Sequence, residues 1–203
     1  MSQIISILGS GFSSLSAACY LSREGHDVTI YEKNKTFGGR ATQMIHKGYK
    51  FDIGPSWYWM PDVFERFFGD FDQKVSDYYT LTKLDPGYQV YFGASDSVLI
   101  SANLDKIYAL FEAEQKGSSI QLKEFLRIAE NNYNVAVKEL VYNPGVSPLE
   151  LITPKTITKL NQLFFSIRKQ VKKNFSNPRL IKILEFPVLF LGAKPSNTPA
   201  MYN

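Results

Sequence analysis

Hydrophobic positions along the chain change period several times, and each change marks an element. Residues 4–8, Ile-Ile-Ser-Ile-Leu, are a short β-branched run stopped by Gly9, the pattern of a buried parallel strand. Residues 13–23 repeat at helical spacing, and residues 28–31 read as a second strand parallel to the first. Residues 42–46 and 49–51 alternate as two short strands turned at Lys47-Gly48, with His46 on the surface beside the turn. Residues 52–56 form a loop by composition, and Pro61 opens a short helix to residue 68. The row Trp57-Tyr58-Trp59-Met60 before it is expected to make core contacts and partly line a cavity.

Further on, residues 79–84 and 88–92 read as strands turned at Asp85-Pro86-Gly87, with residues 97–100 extending the same sheet. Residues 104–114 and 120–141 are helical by pattern. Lys116-Gly117 ends the first, and Ser118-Ser119 offers an N-cap to the second. Phe125, Ile128, Ala129, Tyr133 and Val137 recur at helical spacing in the second. A loop at Asn143-Pro144-Gly145 and a helix or turn at residues 147–150 come next. Residues 156–175 are the most amphipathic segment. Leu160, Leu163, Phe164, Ile167 and Val171 fall on one side, with Lys159, Arg168, Lys169, Lys172 and Lys173 on the remainder.

The fold class is α/β: a Rossmann-like βαβ unit followed by a mixed strand and helix region. The candidate chemistry lies in the βαβ unit. Gly9-Ser10-Gly11-Phe12-Ser13-Ser14 joins the first strand to its helix, so glycines allow close backbone approach where the helix dipole is positive. Glu32 closes the second strand eighteen residues after Ser14, near the roughly 20-residue spacing at which a carboxylate receives ribose hydroxyls. Ser14 stands at the third glycine position, and the helix–strand contact must accept its Cβ.

An N-terminal unit of this kind followed by Gly38-Gly39-Arg40 resembles the two-domain flavoproteins. Tyr49-Lys50-Phe51-Asp52-Ile53-Gly54-Pro55-Ser56-Trp57-Tyr58 and the closing Phe186-Pro187-Val188-Leu189-Phe190-Leu191-Gly192-Ala193-Lys194-Pro195 resemble the bacterial-type phytoene desaturases. So does Asn197-Thr198-Pro199-Ala200-Met201-Tyr202, and the likeness covers nearly the whole chain. The resemblance implies FAD as cofactor and desaturation of a lipophilic polyene such as phytoene in carotenoid biosynthesis. It implies a cofactor-binding set of Gly9, Gly11, Phe12, Ser13, Ser14, Glu32, Lys33, Gly38, Gly39, Arg40, Gly54 and Pro55. Residues 1–80 would then be the N-terminal part of an FAD-binding domain, and residues 81–203 part of a substrate and membrane-associating region. No residue is assigned as catalytic. Carotenoid isomerases and retinol saturases share the N-terminal pattern. Rab GDP-dissociation inhibitors share the fold without redox chemistry.

Family members are roughly twice this length or more, and an open nucleotide-binding sheet needs more parallel strands than two. The expectation is an N-terminal fragment, inactive alone, whose partner is the missing C-terminal portion of the same protein.

Composition adds limits. The chain of 203 residues has one cysteine, Cys19, which cannot make an internal disulfide and is read as a small packing residue. With one Cys and two His, no metal site is expected. Aromatic residues make up 14%, which suits a long apolar cavity and equally a packed core. Residues 1–100 hold 9 Lys and Arg against 11 Asp and Glu, whereas residues 101–203 hold 14 against 8. An anionic partner therefore belongs to the second half. The acidic first half and the lack of a motif argue against nucleic acid. A signal peptide and a membrane span are not expected, because the first apolar run is five residues and none reaches roughly 18. The basic amphipathic segment suggests a peripheral protein at the cytoplasmic face of the membrane. Its other reading is a solvated helix on its own domain.

Overall fold

The structure is a computed structural model that describes all residues except 55–56, 148–149, 151, 158–161, 163–164 and 203. It divides into two compact units, Met1–Leu81 and Thr82–Asn203.

In the first unit β1 (Ile4–Leu8) pairs in parallel with β2 (Asp27–Tyr31), in the register Ile4↔Asp27 to Leu8↔Tyr31. Helix α1 (Phe12–Arg23) makes the crossover, as two parallel neighbours require. Strand alternation turns Ile5, Ile7, Val28 and Ile30 to the more buried face. The opposite face leaves Ile4 85%, Leu8 83% and Tyr31 57% exposed. Cys19 is exposed on α1 rather than packed.

Strands β3 (Gln43–His46) and β4 (Tyr49–Asp52) form the expected antiparallel hairpin around Lys47-Gly48. Both turn residues have positive φ, the requirement of a two-residue turn that matches strand twist. Helix α2 (Pro61–Gly69) carries Pro61 in its first turn. Its aromatic rings meet α1 edge-on, Phe64 against Phe12 at 5.9 Å and Phe67 against Tyr20 at 5.8 Å. The Tyr20 hydroxyl donates to Asp70 at 2.6 Å, and this bond raises the Tyr20 pKa. Trp57, Tyr58, Trp59 and Met60 are exposed, against the expected core contact. Trp57 and Trp59 stack on each other instead.

The second unit begins with a hairpin of β5 (Tyr88–Tyr91) and β6 (Ser97–Ile100). The strand expected over residues 79–84 does not form. Gly87 N–H donates to the Ile100 carbonyl, so the partner of β5 comes from the stretch after it. Helices α3 (Leu104–Glu114) and α4 (Ser118–Tyr133) follow, the latter continuing as a π-helical stretch over Asn134–Leu140. Gly117, not Ser118 or Ser119, caps α4. The Glu112 carboxylate takes the N–H groups of Gly117 and Ser119 and the Ser119 hydroxyl, closing the corner between the helices.

The expected helix over residues 156–175 is broken. A short α5 (Pro154–Ile157) precedes α6 (Ile167–Asn174), which Ser166 caps by accepting the Lys169 N–H. Lys159, Leu160, Leu163 and Phe164 of the predicted amphipathic pattern lie outside the described residues. Ile167 and Val171 are buried in the unit's own core with Phe111, Leu122, Phe125, Phe175, Leu180 and Ile183. Helix α7 (Pro178–Glu185) packs beside α6, and Arg168 clasps the buried Glu185 carboxylate through two bonds of 2.8 and 2.7 Å. The closing segment returns to the start of α6: Ile167 N–H donates to Thr198, and Ala200 N–H to Phe165.

Candidate nucleotide site

The site is built mostly from backbone. The β1 strand ends at Leu8, and the Gly9 N–H donates to the Tyr31 carbonyl at 2.7 Å, which ties the turn to the end of β2. Gly11 is the N-cap of α1 and offers no side chain there. The first intrahelical bond runs from Leu15 N–H to the Gly11 carbonyl. The N–H groups of Phe12, Ser13 and Ser14 thus precede the helical ladder, at the positive end of the dipole.

The Gly38-Gly39-Arg40 turn lies directly on this loop. Gly38 N–H donates to the Ser10 carbonyl at 2.8 Å, and Gly11 and Gly38 form a parallel bridge. A Cβ on Gly39 would stand 3.1 Å from the Gly11 Cα, so the two backbones touch where a side chain would separate them. Gly54 repeats the device. A Cβ there would lie 1.9 Å from the Arg40 carbonyl oxygen. Gly54 therefore lies against the turn where a side chain would not fit.

Glu32 follows β2 and faces the same loop. One carboxylate oxygen accepts the Ser10 N–H at 2.8 Å and the Ser10 hydroxyl at 2.6 Å. The other accepts the Asn34 N–H and side-chain amide, each at 2.8 Å. The Ser10 hydroxyl first, then the Asn34 and Ser10 N–H groups, hold the Glu32 carboxyl down at about 2. It is a fixed negative charge beside a helix N-terminus.

The remaining predicted residues divide. Ser14 is half-buried on α1 and Ser13 is exposed. Phe12 turns to Phe64 of α2. Lys33 and Arg40 are exposed. Pro55 lies outside the described residues. Sequence reading missed Ser10 and Asn34, the two side chains that hold Glu32. The only signal was their type: a hydroxyl between two glycines and an amide two residues past the acid.

The arrangement fits a dinucleotide: glycine backbone for a pyrophosphate, helix N–H groups for its charge, and a carboxylate for a ribose diol. Residues 7–73 match the NAD(P)-binding Rossmann-like domain family. The chain is 37% identical over 202 residues, 98% of its length, to the carotenoid 3,4-desaturase of Haloarcula japonica. It is 32% identical over 98% of its length to the 4,4'-diapophytoene desaturase of Staphylococcus haemolyticus. The chain is similar to carotenoid desaturases along almost its whole length. It spans about two fifths of these relatives, 41% of the first and 40% of the second.

Solved structures agree on the fold. An oxidoreductase from Methanosarcina mazei superposes with a TM-score of 0.59 at 18% identity, over 99% of this chain and 41% of that one. A putrescine oxidase superposes with a TM-score of 0.54 at 18% identity, over 99% and 40%. The expected α/β fold with a Rossmann-like unit is thus borne out, as is the resemblance to the desaturases.

Proposed function

We propose that this chain is the FAD-holding part, with a portion of the substrate region, of a carotenoid desaturase acting on a polyene precursor such as phytoene. The observation that carries the reading is the 37% identity across 98% of the chain to a carotenoid 3,4-desaturase. The glycine turn, Glu32 and the Gly38-Gly39 contact support it, because they supply what an ADP moiety needs and, at Gly38 and Gly39, the backbone leaves little room for a side chain. In such a reaction two hydrogens would leave adjacent carbons of the polyene as a hydride and a proton, leaving a C=C bond, and FAD, when bound, would supply the two-electron acceptor for both. The chain's own residues bind and orient. Backbone N–H groups of residues 12–14 would hold the pyrophosphate, and Glu32 would hold the ribose. Lys33, Arg40, Gly54 and Pro55 complete the cofactor-binding set.

Catalysis on this reading needs the remaining length of such a protein, which would cover the open face of β1 and β2 and enclose the flavin. The test is to titrate the chain with FAD, then assay it with phytoene in liposomes, alone and with the missing portion supplied. FAD binding without conjugated product from the chain alone, and coloured product on complementation, is the expected result. A chain that neither binds FAD nor gains activity on complementation would sink the proposal.

The polyene dissolves in lipid, and the proposal includes peripheral attachment at the cytoplasmic face of a membrane. Among the described residues no helix is long and apolar enough to cross one. With Ile167 and Val171 buried, α6 has no apolar face to insert, but Lys169, Lys172 and Lys173 are exposed on it. Leu189, Phe190 and Leu191 are exposed on the turn after α7. Charge from α6 and apolar contact from that turn are the proposed attachment. Sedimentation with anionic liposomes should fall at high salt and on changing the three lysines to Glu. Binding indifferent to both removes α6 from the contact.

A further inference from the structure

The Glu32 carboxylate already has all its acceptor positions filled. A carboxylate offers about four lone-pair sites. Ser10 N–H, Ser10 hydroxyl, Asn34 N–H and Asn34 side-chain amide take four, at 2.6 to 2.8 Å. Two of these donors are backbone and cannot leave without moving the chain. Ser10 is held by its neighbours, with Gly9 N–H bonded to Tyr31 and its own carbonyl bonded to Gly38 N–H. The other two are side chains, and each can turn away about its own bonds. One sits on each carboxylate oxygen.

A ribose also brings two donors, on adjacent carbons. We infer that the Ser10 hydroxyl and the Asn34 amide are placeholders, which hold Glu32 until a vicinal diol displaces them. The inference rests on the nucleotide reading of the site and deepens it. The backbone donors keep the carboxylate aimed in both states, and the side-chain donors set a threshold for binding. A ligand must replace two charge-assisted bonds to gain two, so the gain from the diol is smaller than for an open carboxylate. Ligands lacking the diol leave the placeholders in position.

The consequence is opposite to that of an ordinary site residue: removing either side chain should tighten binding. The probes are ADP and 2′,3′-dideoxy-ADP, titrated into the 203-residue chain by calorimetry. Ser10→Ala and Asn34→Ala should each strengthen ADP binding about tenfold to a hundredfold, by sparing one bond to a charged group. Neither should change the affinity for the dideoxy ligand. Asn34 is exposed, so Asn34→Ala keeps the test open if Ser10→Ala, at a buried position, does not fold. Weaker or unchanged ADP binding by the folded variants overturns the inference. An equal shift for both ligands does so too, since it reports a change of loop shape. Glu32→Gln separates the two levels. If it abolishes the preference for ADP over the dideoxy ligand while the Ser10 and Asn34 variants are silent, the nucleotide reading stands and the placeholders fall. If the unaltered chain binds no ADP, both fall together.

Discussion

The two units are held together by different means. Thr82–Asn203 contains nearly every fully buried apolar side chain, from Ile100 and Phe111 through Val171 and Phe175 to Leu180 and Val188. Among the described residues of Met1–Leu81 only Ala18 is a buried apolar side chain, and Ile4 and Leu8 stand almost fully in solvent. Yet the candidate chemistry is all in the first unit. The proposed recognition of a pyrophosphate and a ribose would rest on glycine contacts, backbone N–H groups and one carboxylate, and these bury almost no hydrocarbon. A parallel sheet is normally covered on both faces. The first unit is thus rich in specific geometry and poor in burial. Anything that binds the folded form, cofactor included, should stabilise it by mass action.

The sharpest test of that contrast is a pair of truncations. Phe175 is 1% exposed and meets Phe111 at 5.9 Å and Phe125 at 6.4 Å. Phe175→Ala should cost about 3–5 kcal/mol, by lost transfer energy and a cavity. Ile4→Ala, at an 85% exposed position, should stay within about 0.5 kcal/mol. Urea unfolding of the two variants decides it. An Ile4→Ala cost near that of Phe175→Ala would mean that something covers the open face of β1, and the contrast would fail.

Glycines sharpen it next. Gly54→Ala puts a methyl 1.9 Å from the Arg40 carbonyl oxygen, and backbone must move to relieve it. A cost above about 1 kcal/mol is expected, with weakened FAD binding. Gly87→Ala in the second unit meets only the Ile100 carbonyl oxygen at 3.6 Å, an ordinary contact, and should leave FAD binding alone. Equal losses of FAD affinity in the two variants would show that Gly54 acts through general stability and not through the site.

What could be read from the sequence follows the same division. The βαβ unit, its glycine turn and the Lys47-Gly48 hairpin are local, and local pattern announced them. Glu32 could be placed because strand and helix lengths fix its distance from the turn. Its partners could not, since a bond from Ser10 across 22 residues leaves no periodic trace. The misplaced strand over 79–84 has a similar cause. Asp85-Pro86-Gly87 has the composition of a hairpin turn, but β5 pairs with β6 across residues 92–96, and the Asp85 carboxylate accepts the Ser101 hydroxyl and the Ala102 N–H beyond β6 instead of closing a hairpin of its own. The break before α6 was hidden because Ser166 preserves the apolar spacing while its hydroxyl starts a new helix. Exposure of Trp57 to Met60 depends on neighbours, and composition alone does not tell core from surface.

The smallest effect concerns two carboxylates, one in each unit, that close a turn in similar ways. Glu112 takes the N–H groups and hydroxyl around Gly117 and Ser119, and the Gly117 N–H, first among them, lowers its pKa. Glu32 is lowered from 4.5 to about 2, the Ser10 hydroxyl leading. A depressed folded pKa contributes stability above the unfolded value, and that contribution is lost as pH falls through the folded one. For Glu32 the window runs from 4.5 down to about 2. Both residues are half-buried and still reached by solvent, so the change in overall stability is small and a local probe is required. The carboxyl carbon of Glu32, followed by NMR, should titrate near 2, and Ser10→Ala should move its midpoint upward. A midpoint in the ordinary range for the unaltered chain would mean that Ser10 and Asn34 do not hold the carboxylate in solution. Glu112→Gln supplies the other half of the comparison. It removes the same kind of clamp from the unit without the site, so it should loosen the corner between α3 and α4 and leave ADP affinity where it was.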